Sequence, residues 1–275
     1  MINAVGNRMT REIARQSKLA DQLERIQTQI SGGKQLLRAS DDPVASRRIA
    51  TIGKAQASTM TWAANVKSAS AQVSQADTAL GSVGNLLTRA RELTLSAANA
   101  TTNPADRASI AAELSAIADE IDGFAATRDS NGEPLFAANA KQVRFDADIS
   151  FAPVPSASTA FVVDGASVST GLRDAAAAIT AGDSTAIGAA LTTLGSAISH
   201  VADQRAAIGL NAGRLERIGD SLEVRGISLS DERSAVEDTD LSVAIAELNA
   251  QKLTLDAAQA AFARINRQTL FDILN

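Results

Sequence analysis

Between Ile52 and Ala97, small and apolar residues recur at alternating steps of four and three without interruption. The members of this repeat are Ile52, Ala55, Thr59, Trp62, Val66, Ala69, Val73, Ala76, Leu80, Val83, Leu87, Ala90, Thr94 and Ala97. Such spacing is typical of an α-helix that packs along its whole length against other helices. A helix from Pro43 to about Ala98 would be roughly 80 Å long at the usual rise per residue. The sequence therefore predicts an elongated, mainly α-helical molecule.

The same periodicity predicts helices over about residues 4–30, after Pro104, after Asp183 and after Asp240, with a shorter one near Gly171. Residues 101–104 (Thr-Thr-Asn-Pro) provide a cap and a proline for the third helix, and Asp183 can cap the long helix that follows it. The first helix has seam residues Met9, Ile13, Gln16, Ala20, Leu23, Gln27 and Ile30; the third has Ile110, Leu114, Ile117, Ile121 and Phe124. The long helix after Asp183 has Ile187, Leu191, Leu194, Ile198, Val201, Ile208, Ala212, Leu215, Leu222 and Leu229; the last has Leu241, Ile245, Leu248, Leu255, Ala258, Phe262 and Ile265. These helices predict an antiparallel helical bundle or coiled coil in which the two terminal helices pair.

A small β insertion interrupts the helices at residues 137–170. Apolar and polar residues alternate from Val143 to Phe151, which predicts one half-buried strand, and residues 160–163 are predicted to form its partner. So few residues cannot enclose a core, so we expect this element to pack on the helices and to be exposed on the outside.

The segment from Ile30 to Ile49, here called the joint, separates the first two helices. Two glycines allow the first helix to stop, and Asp42 followed by Pro43 provides an N-cap for the second. If the last helix runs antiparallel to the first, the acidic segment 231–240 returns beside the basic residues of the joint. The residues predicted to form this site are Gly32, Gly33, Lys34, Arg38, Asp41, Asp42, Pro43, Arg47, Arg48, Glu237, Asp238 and Asp240.

The terminal helices have only each other as partners within the chain, so we expect them to become ordered when other subunits cover them. This view divides the chain into a terminal coiled-coil assembly domain (1–42 plus 240–275), a helical core domain (43–136 plus 171–239) and the β element. The predicted assembly interface consists of Met9, Ile13, Leu23, Ile30, Leu241, Ile245, Leu248, Leu255, Phe262 and Ile265.

Composition argues against most other classes of function. The 275 residues include no cysteine, so disulfides and thiolate metal sites are excluded. Basic residues are scattered, which argues against binding to nucleic acid, and no apolar run approaches membrane-spanning length. The single histidine, His200, is expected at the surface, and Trp62 in a packed position. No catalytic motif is found, so we expect neither enzymatic activity nor a cofactor or metal.

Several motifs together resemble the flagellin family. They are residues 30–45 (ISGGKQLLRASDDPVA), residues 85–99 of the long repeat, residues 107–113 followed by Asn131-Gly132 and Leu135-Phe136, residues 236–240 (VEDTD) and the tail 268–274 (QTLFDIL). These motifs span about two-thirds of the chain and include both ends. Within the family, the Asp-Asp-Pro-Val-Ala form, the short middle and the Leu-Phe-Asp near the tail are more similar to the members that join hook to filament.

This resemblance implies a structural subunit of the bacterial flagellum. The protein would be exported unfolded through the flagellar type III apparatus and would connect hook to filament in a homo-oligomeric ring or helical assembly. Its implied partners are hook-associated protein 1, flagellin and a cytosolic export chaperone. Two alternatives stay open: a flagellin that forms the filament itself, and an intracellular coiled-coil scaffold.

Overall fold

The computed structural model describes residues 2–99 and 103–273, and the side chains of residues 9–99 and 103–264. Within these residues the helices are α1 (Ile2–Gly32), α2 (Pro43–Ala97), α3 (Pro104–Ala125), α4 (Ala157–Phe161), α5 (Val168–Ala181), α6 (Ser184–Glu237) and α7 (Leu241–Ile273). The strands are β1 (Val143–Arg144), β2 (Ser150–Phe151), β3 (Val162–Val163) and β4 (Ala166–Ser167). The predicted mainly α fold with paired terminal helices and a small β insertion is confirmed.

The chain divides into two compact units. One comprises Met1–Ala57 with Ile227–Asn275, and the other comprises Ser58–Gly226. We call them the terminal unit and the central unit. They divide within α2 and α6, whereas the domain boundaries expected from the sequence fall near the ends of those helices. Those boundaries remain a proposal: they would separate the terminal segments that become ordered on assembly from the core that is folded beforehand.

In the central unit, α2 and α6 pack closely because small residues lie at the contacts. A Cβ atom placed on Gly219 of α6 would lie 3.6 Å from Val66 of α2, and one on Gly84 of α2 would lie 3.9 Å from Val201 of α6. Arg205 of α6 also donates to Asp77 of α2 at 3.0 Å. Helix α3 packs on α5, where Arg173 bridges two aspartates of α3.

The long repeat in α2 behaves as predicted: twelve of its fourteen members are buried, and Ala55 and Trp62 are half-buried. The prediction for α6 was wrong at Ala212, which is exposed, while Ile218 is buried in the same helix. The predicted seam residues on either side of Ala212 remain buried, with Ile208, Leu215 and Leu222 each at most 2% exposed.

Helix α6 also corrects the expectation that no segment could span a membrane. It is the one helix of the described residues that is long and apolar enough to do so. Several of its large apolar side chains are buried in the core of the central unit, among them Leu194, Val201, Ile208 and Leu215, whereas Leu210 and Val224 are 77% and 68% exposed.

The β insertion differs from the prediction. The segment 143–151 is a hairpin that pairs with itself, Val143 opposite Phe151, and residues 160–161 belong to α4. Two physical causes are visible: Phe145 and Phe151 place their rings 4.7 Å apart across the hairpin, and Ser156 caps α4. Phe145 is fully buried, so the insertion packs on the helices as expected.

Helix starts follow the predicted capping residues where the chain is described. Asn103 accepts from the N–H of Asp106 at 2.9 Å, and Asp183 accepts from the N–H of Thr185 at 2.9 Å. The expected contributions of Thr101 and Thr102 lie outside the described residues.

We expect Leu87→Ala to lower the free energy of unfolding of the central unit by about 2–5 kcal/mol, because Leu87 is fully buried and its loss leaves a cavity. Leu210→Ala is the matched control, since Leu210 is 77% exposed. Urea unfolding followed by circular dichroism measures both. Equal destabilisation by the two substitutions would contradict the assigned core.

Candidate functional site: the joint and the terminal helices

The joint is held to the start of α7 by main-chain hydrogen bonds. Gly33, with φ +65°, adopts the left-handed conformation that ends α1. The N–H of Gln35 donates to the carbonyl of Glu237 at 2.8 Å, and the N–H of Thr239 donates to the carbonyl of Gly33 at 3.0 Å. Lys34 and Asp238 thus form an antiparallel bridge. It follows that α1 and α7 leave the joint side by side and run antiparallel, as predicted.

Glu237 is the one buried charged side chain among the described residues, with 9% of its surface exposed. One carboxylate oxygen accepts from Lys34 Nζ at 2.5 Å, and the other accepts from Arg233 Nε at 2.6 Å. The hydrogen bonds from Arg233 and Lys34 lower the pKa of Glu237 below its ordinary value of 4.5, although burial acts in the opposite direction. Glu237 is therefore ionised at neutral pH and pairs with two cations.

Arg233 belongs to this site although it was not among the predicted residues. It lies one helical turn before Glu237 on α6, and its second guanidinium nitrogen donates to Gln56 Oε1 of α2 at 3.3 Å. The cluster of Lys34, Arg233, Glu237 and Gln56, here called the Glu237 cluster, therefore links the joint, α2 and α6. The i,i+4 spacing of Arg233 and Glu237 was the available sequence signal.

Three aspartates of the predicted site perform local structural roles. Asp42 accepts from two N–H groups in the first turn of α2 at 2.8 and 3.0 Å, and Asp240 does the same for α7 at 2.9 and 3.2 Å. Asp41 instead accepts from the N–H of Arg38 at 3.0 Å and pairs with Arg25 of α1 at 3.1 Å. The joint is thus fixed by caps at its two helix starts.

The predicted charge pairs form only in part. Lys34 pairs with Glu237, and Arg48 pairs with Glu232 at 2.7 Å. The prediction for Arg47 was wrong, because its Nε donates to the carbonyl of Pro43 at 3.2 Å and stays on its own helix. The Arg48 and Glu232 side chains are 62% and 39% exposed, so their pair is worth about 1 kcal/mol or less.

Within the terminal unit, α1 and α7 contact each other through one stripe on each helix. These residues, here called the inward stripes, are buried or half-buried and follow steps of four and three. On α1 the inward stripe is Glu12, Gln16, Leu19, Leu23, Ile26 and Ile30; on α7 it is Ala244, Leu248, Gln251, Leu255, Ala258 and Phe262. Near the joint the contact is tightest, since Ile26 and Ala244 are each 6% exposed.

The predicted assembly residues fall into two groups. Leu23, Ile30, Leu248, Leu255 and Phe262 lie on the inward stripes and face the partner helix of the same chain. Met9 and Leu241 are the next positions of the stripes after Glu12 and Ala244, and Ile13 and Ile245 lie beside the stripes; the four side chains are 41%, 50%, 53% and 47% exposed, respectively. Val243 and Leu253 are also apolar and are 61% and 72% exposed, and neither was among the predicted assembly residues. The side chain of Ile265 lies outside the described residues.

A groove of about 600 Å³ lies among α1, the joint and α7. Its walls include Ile26, Gln29, Leu36, Asp240 and Ala244. The described residues contain no group of three His, Asp or Glu side chains placed to hold a metal ion. The groove is suited to packing.

Two other residues singled out in the sequence lie in the central unit. His200 is half-buried and its Nε2 lies 2.8 Å from the carbonyl of Thr159. Trp62 is half-buried beneath Arg225.

Family comparisons match the parts of the chain that build this site. The model of the bacterial flagellin N-terminal helical region matches residues 3–141, just over half of the chain. The model of the flagellin C-terminal helical region matches residues 191–274. The chain belongs to the flagellin family. It is accordingly a structural subunit of the bacterial flagellum, and its family is one of exported proteins that assemble there with other flagellar proteins. The family is not known to be enzymatic.

Solved structures share the fold of this flagellin-family chain. A protein assigned as flagellar hook-associated from Vibrio parahaemolyticus has a TM-score of 0.65 at 17% identity, covering 72% of this chain and 100% of its own. FlgL from Xanthomonas campestris has a TM-score of 0.60 at 16% identity, covering 66% and 99%. The flagellar junction protein FlgL from Legionella pneumophila has a TM-score of 0.51 at 13% identity, covering 71% and 100%. A comparison with curated protein sequences gave no match.

We expect Glu237→Gln to destabilise the terminal unit by about 1–3 kcal/mol at pH 7, because Lys34 and Arg233 lose their shared counter-charge. Glu232→Gln is the matched control, and its effect should be below about 1 kcal/mol because its pair is exposed. Chemical denaturation followed through amide exchange of residues 30–40 and 234–242 measures both. Equal effects would contradict the importance of the buried carboxylate.

Glu237→Gln also tests how the stability of the terminal unit depends on pH. The folded pKa of Glu237 lies below its unfolded value of 4.5, so its stabilisation is present above that pH and is lost as the pH falls through the folded pKa. The stability difference between wild type and Glu237→Gln should therefore shrink on acidification from pH 7 to pH 3. A difference that stays constant or grows would show that this carboxylate does not carry the linkage.

Proposed function

We propose that this flagellin-family chain is hook-associated protein 3, the adaptor that joins hook to filament. It acts by helix packing and not by catalysis. The observation that carries its assembly role is the apolar surface of the terminal helices that their own pairing leaves uncovered. The fold likeness to hook-associated and junction proteins supports the position at the junction.

The uncovered surface lies on more than one side of α7. Its inward stripe faces α1, yet Leu241 at the end of that stripe is 50% exposed, Ile245 beside it is 47% exposed, and Leu253 on the far side of the helix is 72% exposed. A helix that is apolar on several faces is normally surrounded by other helices. Burying a large apolar side chain contributes about 1.5–3 kcal/mol, so a few such residues per subunit supply a strong association energy.

Charge favours contacts between copies in which the N-terminal segment of one meets the C-terminal segment of another. Residues 1–38 carry seven basic and three acidic side chains, a net charge of +4. Residues 231–264 carry seven acidic and three basic side chains, a net charge of −4. Opposite charges at an interface guide orientation and suppress wrong pairings more than they add affinity. We therefore place the assembly interface on Met9, Ile13, Leu241 and Ile245, with a second copy of the chain as occupant.

At the junction the neighbours would be hook-associated protein 1 and flagellin, and a cytosolic chaperone would hold the chain before export. The joint, with Gly33 and the Glu237 cluster, would set the angle at which the terminal helices enter the assembly. The domain division at residues 42/43 and 239/240 belongs to this proposal.

A flagellin that builds the filament itself is the second candidate, favoured by the two family matches. Seeded polymerisation separates the two candidates. Purified chain is mixed either with filament seeds or with hook ends that carry hook-associated protein 1, and electron microscopy measures elongation. Binding to hook ends without elongation supports the junction adaptor, whereas long filaments that contain only this chain would refute it.

Ile245→Asp should abolish binding to hook ends while leaving the helix content of the isolated chain within a few per cent of wild type. The substitution places a charge on an exposed apolar position that the isolated chain does not use, since Ile245 is 47% exposed. Ile245→Val is the control and should bind normally. Normal binding by Ile245→Asp would remove this side of α7 from the proposed interface.

Arg48→Glu should also weaken binding to hook ends, by breaking the pair with Glu232 that helps to fix the joint. Restoring the pair in reversed order, with Arg48→Glu and Glu232→Arg together, should recover binding. Arg47→Glu is the matched control, because the guanidinium of Arg47 donates to the carbonyl of Pro43 on its own helix. Equal losses for Arg47→Glu and Arg48→Glu, or no recovery in the double variant, would contradict the role given to the pair.

A further inference from the structure

Helices α2 and α6 bury small side chains where they leave the central unit. Both helices continue from the central unit into the terminal unit. Close to that division, the buried face of α2 holds Thr59, and Gly219 of α6 lies against Val66. Farther into the central unit, the same face of α2 holds Leu80 and Leu87, which are fully buried. Because packing energy grows with the apolar area that is buried, the two helices are held more weakly near the division.

The β1–β2 hairpin contacts both helices at this end of the central unit. Asn65 Nδ2 on α2 donates to the carbonyl of Arg144 at 2.8 Å. On α6, the guanidinium of Arg225 donates to Asp146 Oδ1 at 3.1 Å and lies 5.6 Å from the centre of the Trp62 ring on α2. One arginine of α6 therefore contacts the hairpin and α2 together.

The hairpin also supplies large buried side chains. Phe145 lies between the two hairpin residues that contact the helices; it is fully buried, and its ring is 4.7 Å from that of Phe151. Arg214 of α6 covers the Phe151 ring at 4.2 Å, and Asn211, one turn earlier, donates to the carbonyl of Pro153 at 3.0 Å. The hairpin is thus anchored by buried aromatic rings and by polar contacts with both helices.

Local unfolding begins where few apolar contacts hold the chain, and it spreads through contiguous segments. We propose that the hairpin is a clasp that stops unfolding of the terminal unit from spreading along α2 and α6 into the central unit. The clasp consists of Trp62, Asn65, Asp146 and Arg225 around the buried ring of Phe145. The inference goes beyond the proposed function, because it explains how the central unit stays folded while the terminal helices are uncovered.

The test combines two substitutions in the isolated full chain. Glu237→Gln weakens the terminal unit. Asp146→Asn removes the charge that pairs with Arg225, while the side-chain oxygen can still accept from the N–H of Ala147. Asp148→Asn is the matched control, because Asp148 is exposed on the same hairpin. Amide exchange of residues 58–68 and of α3 is measured in each variant.

Glu237→Gln alone should leave the exchange of residues 58–68 unchanged, because the clasp is intact. Asp146→Asn alone should speed it about threefold, as expected for the loss of a half-exposed ion pair. The two substitutions together should speed it about tenfold, which exceeds the product of their separate effects, because unfolding then passes the clasp. Glu237→Gln with Asp148→Asn should resemble Glu237→Gln alone, and the exchange of α3 should not change in any variant.

Faster exchange of residues 58–68 in Glu237→Gln alone would show that unfolding is not stopped at the hairpin, and would overturn the inference. A double variant that exchanges no faster than Asp146→Asn alone, or equal effects of Asp146→Asn and Asp148→Asn, would overturn it too. So would faster exchange of α3, since the effect would then be global. None of these measurements uses hook ends, so such a failure is distinct from a failure of the proposed function.

Discussion

The ionised carboxylate of Glu237 lies where the joint, α2 and α6 meet, and the terminal unit depends on its two cations. A buried charge without a partner is strongly unfavourable, so the chain must bring Lys34 and Arg233 to it whenever this region folds. Lys34 comes from the segment after α1, and Arg233 comes from α6 while also bonding to Gln56. The two main-chain hydrogen bonds between residues 33–35 and 237–239 join the same two segments. One carboxylate therefore ties the segment after α1 to the end of α6.

From that fixed point, the pairing of α1 and α7 weakens with distance. At the contact, Ile26 and Ala244 are buried, whereas Leu19 and Leu255 are half-buried. Farther along, the side-chain nitrogen of Gln16 is buried without a hydrogen-bond partner. Meanwhile Met9, Ile13, Leu241 and Leu253 stay exposed. A two-helix contact with apolar residues on its outer sides is incomplete as a core. A flagellin-family chain functions in contact with other subunits. We therefore infer that neighbouring subunits complete this core by covering the exposed apolar side chains.

Regular helix packing and helix caps were predictable from the sequence, whereas strand pairing and the contacts of side chains distant in sequence were not. The repeat in α2 could be placed correctly because one period over forty-six residues leaves no alternative register. The segment 143–151 could not, because alternation describes a strand equally well whether it pairs with a distant partner or folds back on itself. There the contact between Phe145 and Phe151 decided the outcome. The role of Arg233 depends on which side chains reach it across the fold, because Lys34, Gln56 and Glu237 meet there from different segments. Caps at Asp42, Asn103, Asp183 and Asp240 were predictable because they act within one turn.

Amide hydrogen exchange, compared between the isolated chain and the same chain within the native flagellar appendage, tests the central claim most directly. The account predicts rapid exchange of residues 9–15 and 256–264 in the isolated chain, with strong protection of α3 and of the Glu237 cluster. In the appendage, the terminal segments should become as protected as α3. Terminal helices already protected to the level of α3 in the isolated chain, or still exchanging rapidly in the appendage, would contradict it.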